Sequence, residues 1–259
     1  LDHKEWIMKI RISYCLALLL ACSSGIQAAP LLDTYHELQN LKSDVRAAYI
    51  YALIVDEDAR AHPQRNERIE KIDRLLNKID NLDHLEKSHK EALSMGMRVY
   101  LRSAKNEAAT FDERLGSRTF SNGYSAYSEL IENIYAPIQA IEFEAKIPES
   151  SVEVFTLLDT IAEAIELHGE RTIKTERIEN LTQTNLNNMC STIEQGLKDI
   201  GKYPDAKDTL RKAKLKWGFI KTPICKLNKT TAPYTVTHYG SQMAEILKAY
   251  AANNLLKAS

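Results

Sequence analysis

The sequence predicts an all-α protein made of two tandem antiparallel four-helix modules. Three observations support this prediction. The chain of 259 residues is rich in Leu, Ala, Ile, Glu and Lys and has only 9 Gly and 7 Pro, a composition that favours helix over strand. Apolar residues recur in steps of three and four along most of the chain. The segment LLDT occurs at Leu31 and again at Leu157, and it opens a long helical pattern each time.

Residues 31–146 form the first predicted module. Its first helix begins at Leu31, and residues 56–63, which include Pro63, end it. A shorter helix reaches Leu82, a third covers residues 86–115, and a fourth covers residues 124–145 after a break at 116–123. Pro137 lies inside the fourth helix as a predicted kink. Apolar residues follow one face of the first helix in steps of three or four, except for a step of seven between Leu38 and Val45. These residues are Tyr35, Leu38, Val45, Ala48, Ala52 and Val55.

Residues 150–259 form the second predicted module, after a linker at residues 147–151. Ser150 or Ser151 is the candidate N-cap of its first helix, with Glu153 placed for a capping box from Ser150. The predicted helices cover residues 152–188, 191–200, about 210–224, and 233 to the end of the chain. Short connections favour antiparallel neighbours. Periodicity leaves two arrangements open, either stacked modules or one elongated bundle.

Residues 1–28 are predicted to be a signal peptide, because Lys9 and Arg11 precede an apolar run that is too short to span a bilayer. Met8 is the predicted start of translation, and residues 1–7 are then not part of the translated protein. No later apolar run has the length of a membrane span, so we expect no transmembrane span in the mature chain.

Two processing routes stay open. Cleavage after Ala28 would give a periplasmic or secreted protein. Alternatively, LLAC ending at Cys22 resembles a lipobox, and lipidation of Cys22 would give an outer-membrane lipoprotein. Either route leaves Cys190 and Cys225 in an oxidising compartment, where a disulfide between them is one alternative and two buried thiols are the other.

Charge and motifs exclude several classes of function. The 34 basic and 35 acidic residues are interleaved, so no nucleic-acid partner is expected and nothing in the charge pattern argues for an anionic membrane surface. No phosphate loop, dinucleotide fingerprint or nucleophile elbow occurs, so we expect neither an enzyme nor a cofactor. Glu86 and His89 form a single Glu-x-x-His, whereas a di-iron bundle needs two, so no metal site is predicted. His168 is predicted to lie on a helix surface.

A glycine in a long helix costs about 1 kcal/mol relative to alanine, and Gly169 is followed by the basic run ERTIKTERI. Leu210 and Trp217 then mark a later helix, and SQMAEIL at Ser241 marks the last one. With these features, residues 155–256 resemble the N-terminal module of type IV pilus methyl-accepting chemoreceptors and of nitrate and nitrite sensors.

The resemblance implies an anion site on the first helix of the second module. Arg177 lies eight residues after the glycine, as in that family, and Arg171 and Lys174 complete a face with steps of three. The family's other arginine position is Thr172 here, and a shift of one residue rotates a helical side chain by about 100°. The alternative is an ordinary salt-bridged surface, because Glu170, Glu176 and Glu179 interleave with the cations.

The expected function is therefore that of an exported binding or sensing protein for a small anion such as nitrate, nitrite or a carboxylate. It would act through an envelope protein partner or as a homodimer. The alternative is a structural or assembly protein of the bacterial envelope that has no small ligand.

Overall fold

The computed structural model describes residues 30–55, 58–82, 84–110, 117–173, 180–227 and 233–258, without the side chains of residues 106–110, 117–123, 172, 173 and 258. Within these ranges the chain forms eight α-helices and no strand, which confirms the predicted all-α class. None of these helices has both the length and the apolar character needed to cross a bilayer. The helices are α1 (30–54), α2 (Ala61–Leu76), α3 (Lys87–Thr110), α4 (Ser117–Glu144), α5 (Glu149–Ile173), α6 (Gln183–Ile200), α7 (Lys207–Cys225) and α8 (Pro233–Ala258).

The prediction of one continuous helix over residues 152–188 is wrong. Helix α5 ends at Ile173, and a new helix, α6, begins at Gln183. The Oγ1 atom of Thr182 accepts a hydrogen bond from the backbone N–H of Asn185, and the Asn185 side chain accepts one from the backbone N–H of Thr182. This reciprocal capping box satisfies N–H groups that a helix start leaves unpaired, so it starts a separate helix.

The predicted N-caps at Ser150 and Ser151 are also wrong, because α5 begins earlier, at Glu149. Both serines face α8 instead. The hydroxyl of Ser151 donates to the carbonyl of Ala251 at 3.2 Å, and the amide of Asn254 donates to the hydroxyl of Ser150 at 3.1 Å. These contacts hold the start of α5 against the end of α8.

Proline and glycine positions account for two further differences. Pro63 does not precede α2 but lies in its first turn, where a missing N–H costs no helical hydrogen bond. The predicted break at residues 116–123 is wrong over residues 117–123, because α4 begins at Ser117 and includes Gly123. Pro137 lies inside α4, as predicted.

The first four helices form one antiparallel group. Helix α2 contacts α3, and α3 contacts α4. The hydroxyl of Tyr35 on α1 donates to Glu142 on α4 at 2.7 Å, and the ring of Tyr49 stacks on Tyr127 with centroids 4.1 Å apart. The later residue of α1 thus contacts the earlier residue of α4, so the two helices are antiparallel. Their contact completes the group of four helices.

The last four helices form a second group in the same way. Helices α5 and α6, α6 and α7, α7 and α8, and α5 and α8 are in contact. A disulfide joins Cys190 of α6 to Cys225 of α7, with Cα atoms 6.0 Å apart. The bridge left open by the sequence is thus present, because antiparallel packing brings the start of α6 beside the end of α7.

The two groups lie side by side through the contact of α1 with α5. Tyr35 lies against Phe155, Lys42 pairs with Asp159, and Tyr49 donates to Glu170. These contacts advance in the same direction along both chains, so α1 and α5 are parallel neighbours. Residues of both groups belong to one continuous hydrophobic core.

Gly169 permits the close approach of α1 and α5. A Cβ atom at this position would lie 3.2 Å from Cδ1 of Leu53, which gives a packing reason for a glycine inside a helix. Both LLDT segments lie within helices, Leu31 in α1 and Leu157 in α5. The tandem duplication stays a prediction.

Candidate functional site

Of the three residues predicted to bind an anion, only Arg171 lies among the described residues; Lys174 and Arg177 lie outside them. The Arg171 guanidinium donates to backbone carbonyls at the end of α7, at distances of 3.1 to 3.2 Å. Those carbonyls belong to Pro223, Ile224 and Lys226. A cation at this position satisfies carbonyls that a helix end leaves unpaired and complements the helix dipole. Arg171 thus acts as a cap for α7.

His168 is buried, so its predicted place on a helix surface is wrong. Its residue exposure is 4 %, because α5 is enclosed by its neighbours over residues 164–170. Burial and the positive charge of Arg171 lower the pKa of His168 to about 4. The imidazole is therefore neutral at neutral pH.

A cavity lies where α1, α5 and α8 meet, beside Arg68 of α2. Residues of both helix groups line it. Its volume is about 50 Å³. Four basic side chains contribute to its lining: Lys42, Arg46, Arg68 and Lys248. The cavity therefore has room for a small polar species such as a water molecule or a small ion.

Arg46 and its partners form a buried polar cluster at this cavity. Nη1 of Arg46 lies 3.4 Å from Oε1 of Glu166, and Nη2 donates to the hydroxyl of Tyr135 at 3.1 Å. Tyr127 donates to the same Glu166 oxygen. Burial acts to lower the pKa of Arg46, but Glu166 and Asp159 together with the tyrosines raise it. The guanidinium therefore stays charged.

Lys42 lies one turn before Arg46 and shares Asp159 with it. Its Nζ is 2.9 Å from Oδ2 of Asp159 and 4.7 Å from the centre of the Tyr135 ring. Burial lowers the pKa of Lys42, and Asp159 opposes that shift. The lysine is therefore held by an ion pair and an aromatic ring at the contact between α1 and α5.

Arg68 and Lys248 complete the basic lining from α2 and α8. Nη1 of Arg68 lies 2.7 Å from Asp44 and 3.2 Å from Glu245. Lys248 also pairs with Glu245, at 3.2 Å. Each cation of the lining thus has a carboxylate nearby.

Three polar atoms of the lining residues have no hydrogen-bond partner among the described residues. They are Nε of Arg46, Nε of Arg68 and Oε1 of Gln39, and all are buried. Buried polar atoms in native proteins nearly always have a partner. Two such donors and one such acceptor therefore occur on residues that line one small cavity.

Most of this site was missed by sequence reasoning. The sequence analysis placed the anion-binding cations at Arg171, Lys174 and Arg177. The structure also brings Lys42 and Arg46 of α1 against α5. Their spacing of four residues within an apolar stripe was the available signal.

No group of three or more His, Cys, Asp or Glu suitable for a metal ion occurs in the described part of the chain. No protein-family model, curated protein or solved structure matches this chain. The resemblance of residues 155–256 to chemoreceptor modules therefore rests on the motif residues alone.

Proposed function

We propose that this chain is an exported helical-bundle protein that binds a small anion between α1, α5 and α8 and acts through a partner protein. The observation that carries the proposal is that four basic side chains line one cavity, and that two of them, Arg46 and Arg68, have a buried Nε atom without a partner among the described residues. A guanidinium presents its donors in a fixed fork that suits planar oxyanions.

The cavity suits a small anion. Its volume of about 50 Å³ has room for nitrate, nitrite or a one- or two-carbon carboxylate. The site includes residues from both halves, so occupancy would stabilise the contact of α1 with α5 and α8. That contact offers a route by which binding changes the surface presented to a partner.

The rival function is a structural or assembly role in the bacterial envelope without a ligand. One observation favours it: Lys42, Arg46, Arg68 and Lys248 already pair with carboxylates. A balanced cluster of this kind can hold two halves together without a ligand.

A thermal-shift screen separates the two functions. Sodium nitrate, nitrite, formate and acetate would be compared with sodium chloride at equal ionic strength. A ligand at a hundred times its dissociation constant adds about 2.7 kcal/mol to the free energy of unfolding, so a clear rise in Tm is expected with at least one anion. Equal Tm values in all salts would favour the structural role.

Calorimetry on variants then tests the location of the site. Lys248→Met removes a cation from the lining and should weaken binding of the anion found in the screen by about tenfold, in line with loss of one charged hydrogen bond. Arg98→Met removes an exposed arginine of α3 and should leave the affinity unchanged. Equal affinities of the two variants would show that the anion does not bind in this cavity.

A further inference from the structure

The outer face of α7 exposes two large apolar side chains one turn apart. Leu215 is 60 % exposed and Phe219 is 55 % exposed. The opposite face of the helix is buried in the core through Ala213, Trp217, Ile220 and Ile224. A Cβ atom on Gly218, between the two exposed residues, would meet nothing within 4 Å. Leu215 and Phe219 are therefore an open apolar surface on a helix that the core holds firmly.

Positive charge surrounds this apolar surface. Residues 207–226 contain seven basic residues and one acidic residue, Asp208. The overall balance of 34 basic and 35 acidic residues conceals this local excess, which is why the charge of the whole chain did not indicate an anionic surface as partner. The basic residues are Lys207, Arg211, Lys212, Lys214, Lys216, Lys221 and Lys226.

Carboxylates within the protein neutralise only part of this charge. Arg211 and Lys212 share Asp208, and Lys221 pairs with Glu194. Within the described residues, no ion pair involves Lys214 or Lys226. Three lysines lie within three residues of Leu215, and a fourth, which is exposed, follows the end of the helix: Lys212, Lys214, Lys216 and Lys226.

Aromatic stacking holds the apolar surface in place. The ring of Phe219 stacks on Tyr239 of α8 with centroids 4.9 Å apart, and Nζ of Lys216 lies 5.1 Å from the centre of the same tyrosine ring. The exposed phenyl ring is therefore held at a fixed position next to a cation.

We propose that the basic ridge, which consists of Leu215 and Phe219 with Lys212, Lys214, Lys216 and Lys226, binds the surface of an anionic phospholipid bilayer. Apolar side chains flanked by lysines are the pattern of helices that lie at a membrane interface. The apolar chains enter the headgroup region, and the long lysine side chains reach the lipid phosphates.

The size of the ridge favours a bilayer over a protein partner. Stable protein interfaces bury on the order of 800 Å² on each partner and have an extended apolar centre. The basic ridge offers two apolar side chains on a convex helix. A lipid surface needs no complementary shape, so two inserted side chains and several attracted lysines suffice for reversible binding.

Vesicle sedimentation tests the proposal on the full chain. Vesicles of phosphatidylcholine with one third phosphatidylglycerol should bind the protein at low salt, and vesicles of phosphatidylcholine alone should bind it at least tenfold less. Leu215→Ser/Phe219→Ser and, separately, Lys214→Glu/Lys216→Glu should each weaken binding to the anionic vesicles at least tenfold. Absence of binding to anionic vesicles, or retention on an acidic polypeptide alone, would overturn the proposal.

A local probe makes the test independent of any other membrane-binding segment. Phe219→Trp places an indole on the basic ridge. Phe143→Trp is the matched control, because Phe143 is 95 % exposed but lies between Glu142 and Glu144. After subtraction of the spectrum of the unsubstituted chain, anionic vesicles should shift the emission of Phe219→Trp to shorter wavelength and leave Phe143→Trp unchanged. Equal shifts of the two variants, or none, would refute binding through α7.

Discussion

Lys42 of α1 and Asp159 of α5 form an ion pair across the two halves of the protein, with Nζ 2.9 Å from Oδ2. The side chain of Lys42 is 6 % exposed, and it lies in the apolar stripe of α1 between Leu38 and Val45. The gap in the apolar spacing of α1 between these two residues therefore contains the lysine that forms a buried ion pair with α5. A buried ammonium without a partner would be costly, so the lysine fixes which helix can lie against α1.

Replacing Glu166 by alanine should lower the free energy of unfolding by about 3–5 kcal/mol, which is typical of breaking a buried charge pair. The Glu166 side chain is 4 % exposed and accepts hydrogen bonds from Tyr127 and Arg46. Removal of the Glu166 carboxylate leaves the buried guanidinium of Arg46 with less negative charge nearby. Urea unfolding followed by circular dichroism measures the change.

The double variant Arg46→Met/Glu166→Leu is the control for this prediction. It removes both charges and should be less destabilised than Glu166→Ala, because no uncompensated charge remains. Glu91→Ala breaks the exposed pair with Lys87 and should have almost no effect. If the double variant is the least stable of the three, packing rather than charge dominates at Glu166.

Two glycines should respond to alanine in opposite directions. At Gly240 of α8 a Cβ atom would lie 3.0 Å from Cγ1 of Ile165, so Gly240→Ala should destabilise the protein by about 1–3 kcal/mol through overpacking. Gly218→Ala has open space and should stabilise it by up to about 1 kcal/mol through helix propensity. Thermal unfolding decides the order, and the reverse order would contradict this account of the contact between α5 and α8.

The helical class and most of the helices were predictable because steps of three and four dominate the chain. The boundary between α5 and α6 was not, because the apolar spacing continues across it while the polar pair Thr182 and Asn185 starts a new helix. The parallel contact of α1 with α5 was also hidden, since it depends on residues more than a hundred positions apart, such as Lys42 and Asp159.

The candidate site was predictable only in part, for the same reason. A basic residue in a sequence does not show which carboxylate it will face, so Arg46 gave no sign of Glu166. Arg171 was identified as a functional cation from its place after Gly169, yet its three acceptors belong to the end of α7. Helix ends meet through tertiary packing, which local patterns do not describe.

Reduction of the disulfide between Cys190 and Cys225 should destabilise the protein by roughly 3–4 kcal/mol. The bridge closes a loop with a sequence separation of 35, and the loop-entropy relation gives this magnitude for such a loop. Urea unfolding of Cys190→Ser/Cys225→Ser, compared with the oxidised protein, measures the effect. Adding a reductant should destabilise the unsubstituted chain and leave the stability of the serine variant unchanged. If the reductant also destabilises the serine variant, the loss of stability does not come from this disulfide.

Acid should destabilise the protein partly through His168. Its pKa in the folded state is lowered to about 4, below the ordinary value of about 6.5. The contribution is therefore fully present above about pH 6.5 and is lost as the pH falls towards 4, because the unfolded chain takes up the proton first. The total loss is on the order of 3 kcal/mol, at 1.36 kcal/mol per pKa unit.

Unfolding free energies of the protein and of His168→Gln between pH 7 and pH 4 test this assignment. Glutamine keeps a polar side chain but does not titrate, so the variant should lose less stability over this interval. His89→Gln is the control, because it also removes one histidine but from a site that is only partly buried. Identical profiles for all three chains would exclude His168 as a source of the acid sensitivity.

A structural role and a binding role of Arg171 have different consequences for stability and for anion affinity. As the cap of α7 it donates to the carbonyls of Pro223, Ile224 and Lys226, so Arg171→Ala should lower the free energy of unfolding by about 1–2 kcal/mol. Arg171→Lys should recover only part of this, since one ammonium cannot reproduce the fork of a guanidinium. If the anion binds in the cavity between α1, α5 and α8, both variants should keep the affinity of the unsubstituted chain in calorimetry, as should Arg177→Ala. A loss of affinity of tenfold or more in Arg177→Ala, with Lys248→Met unaffected, would instead place the anion on the basic turn that follows Gly169.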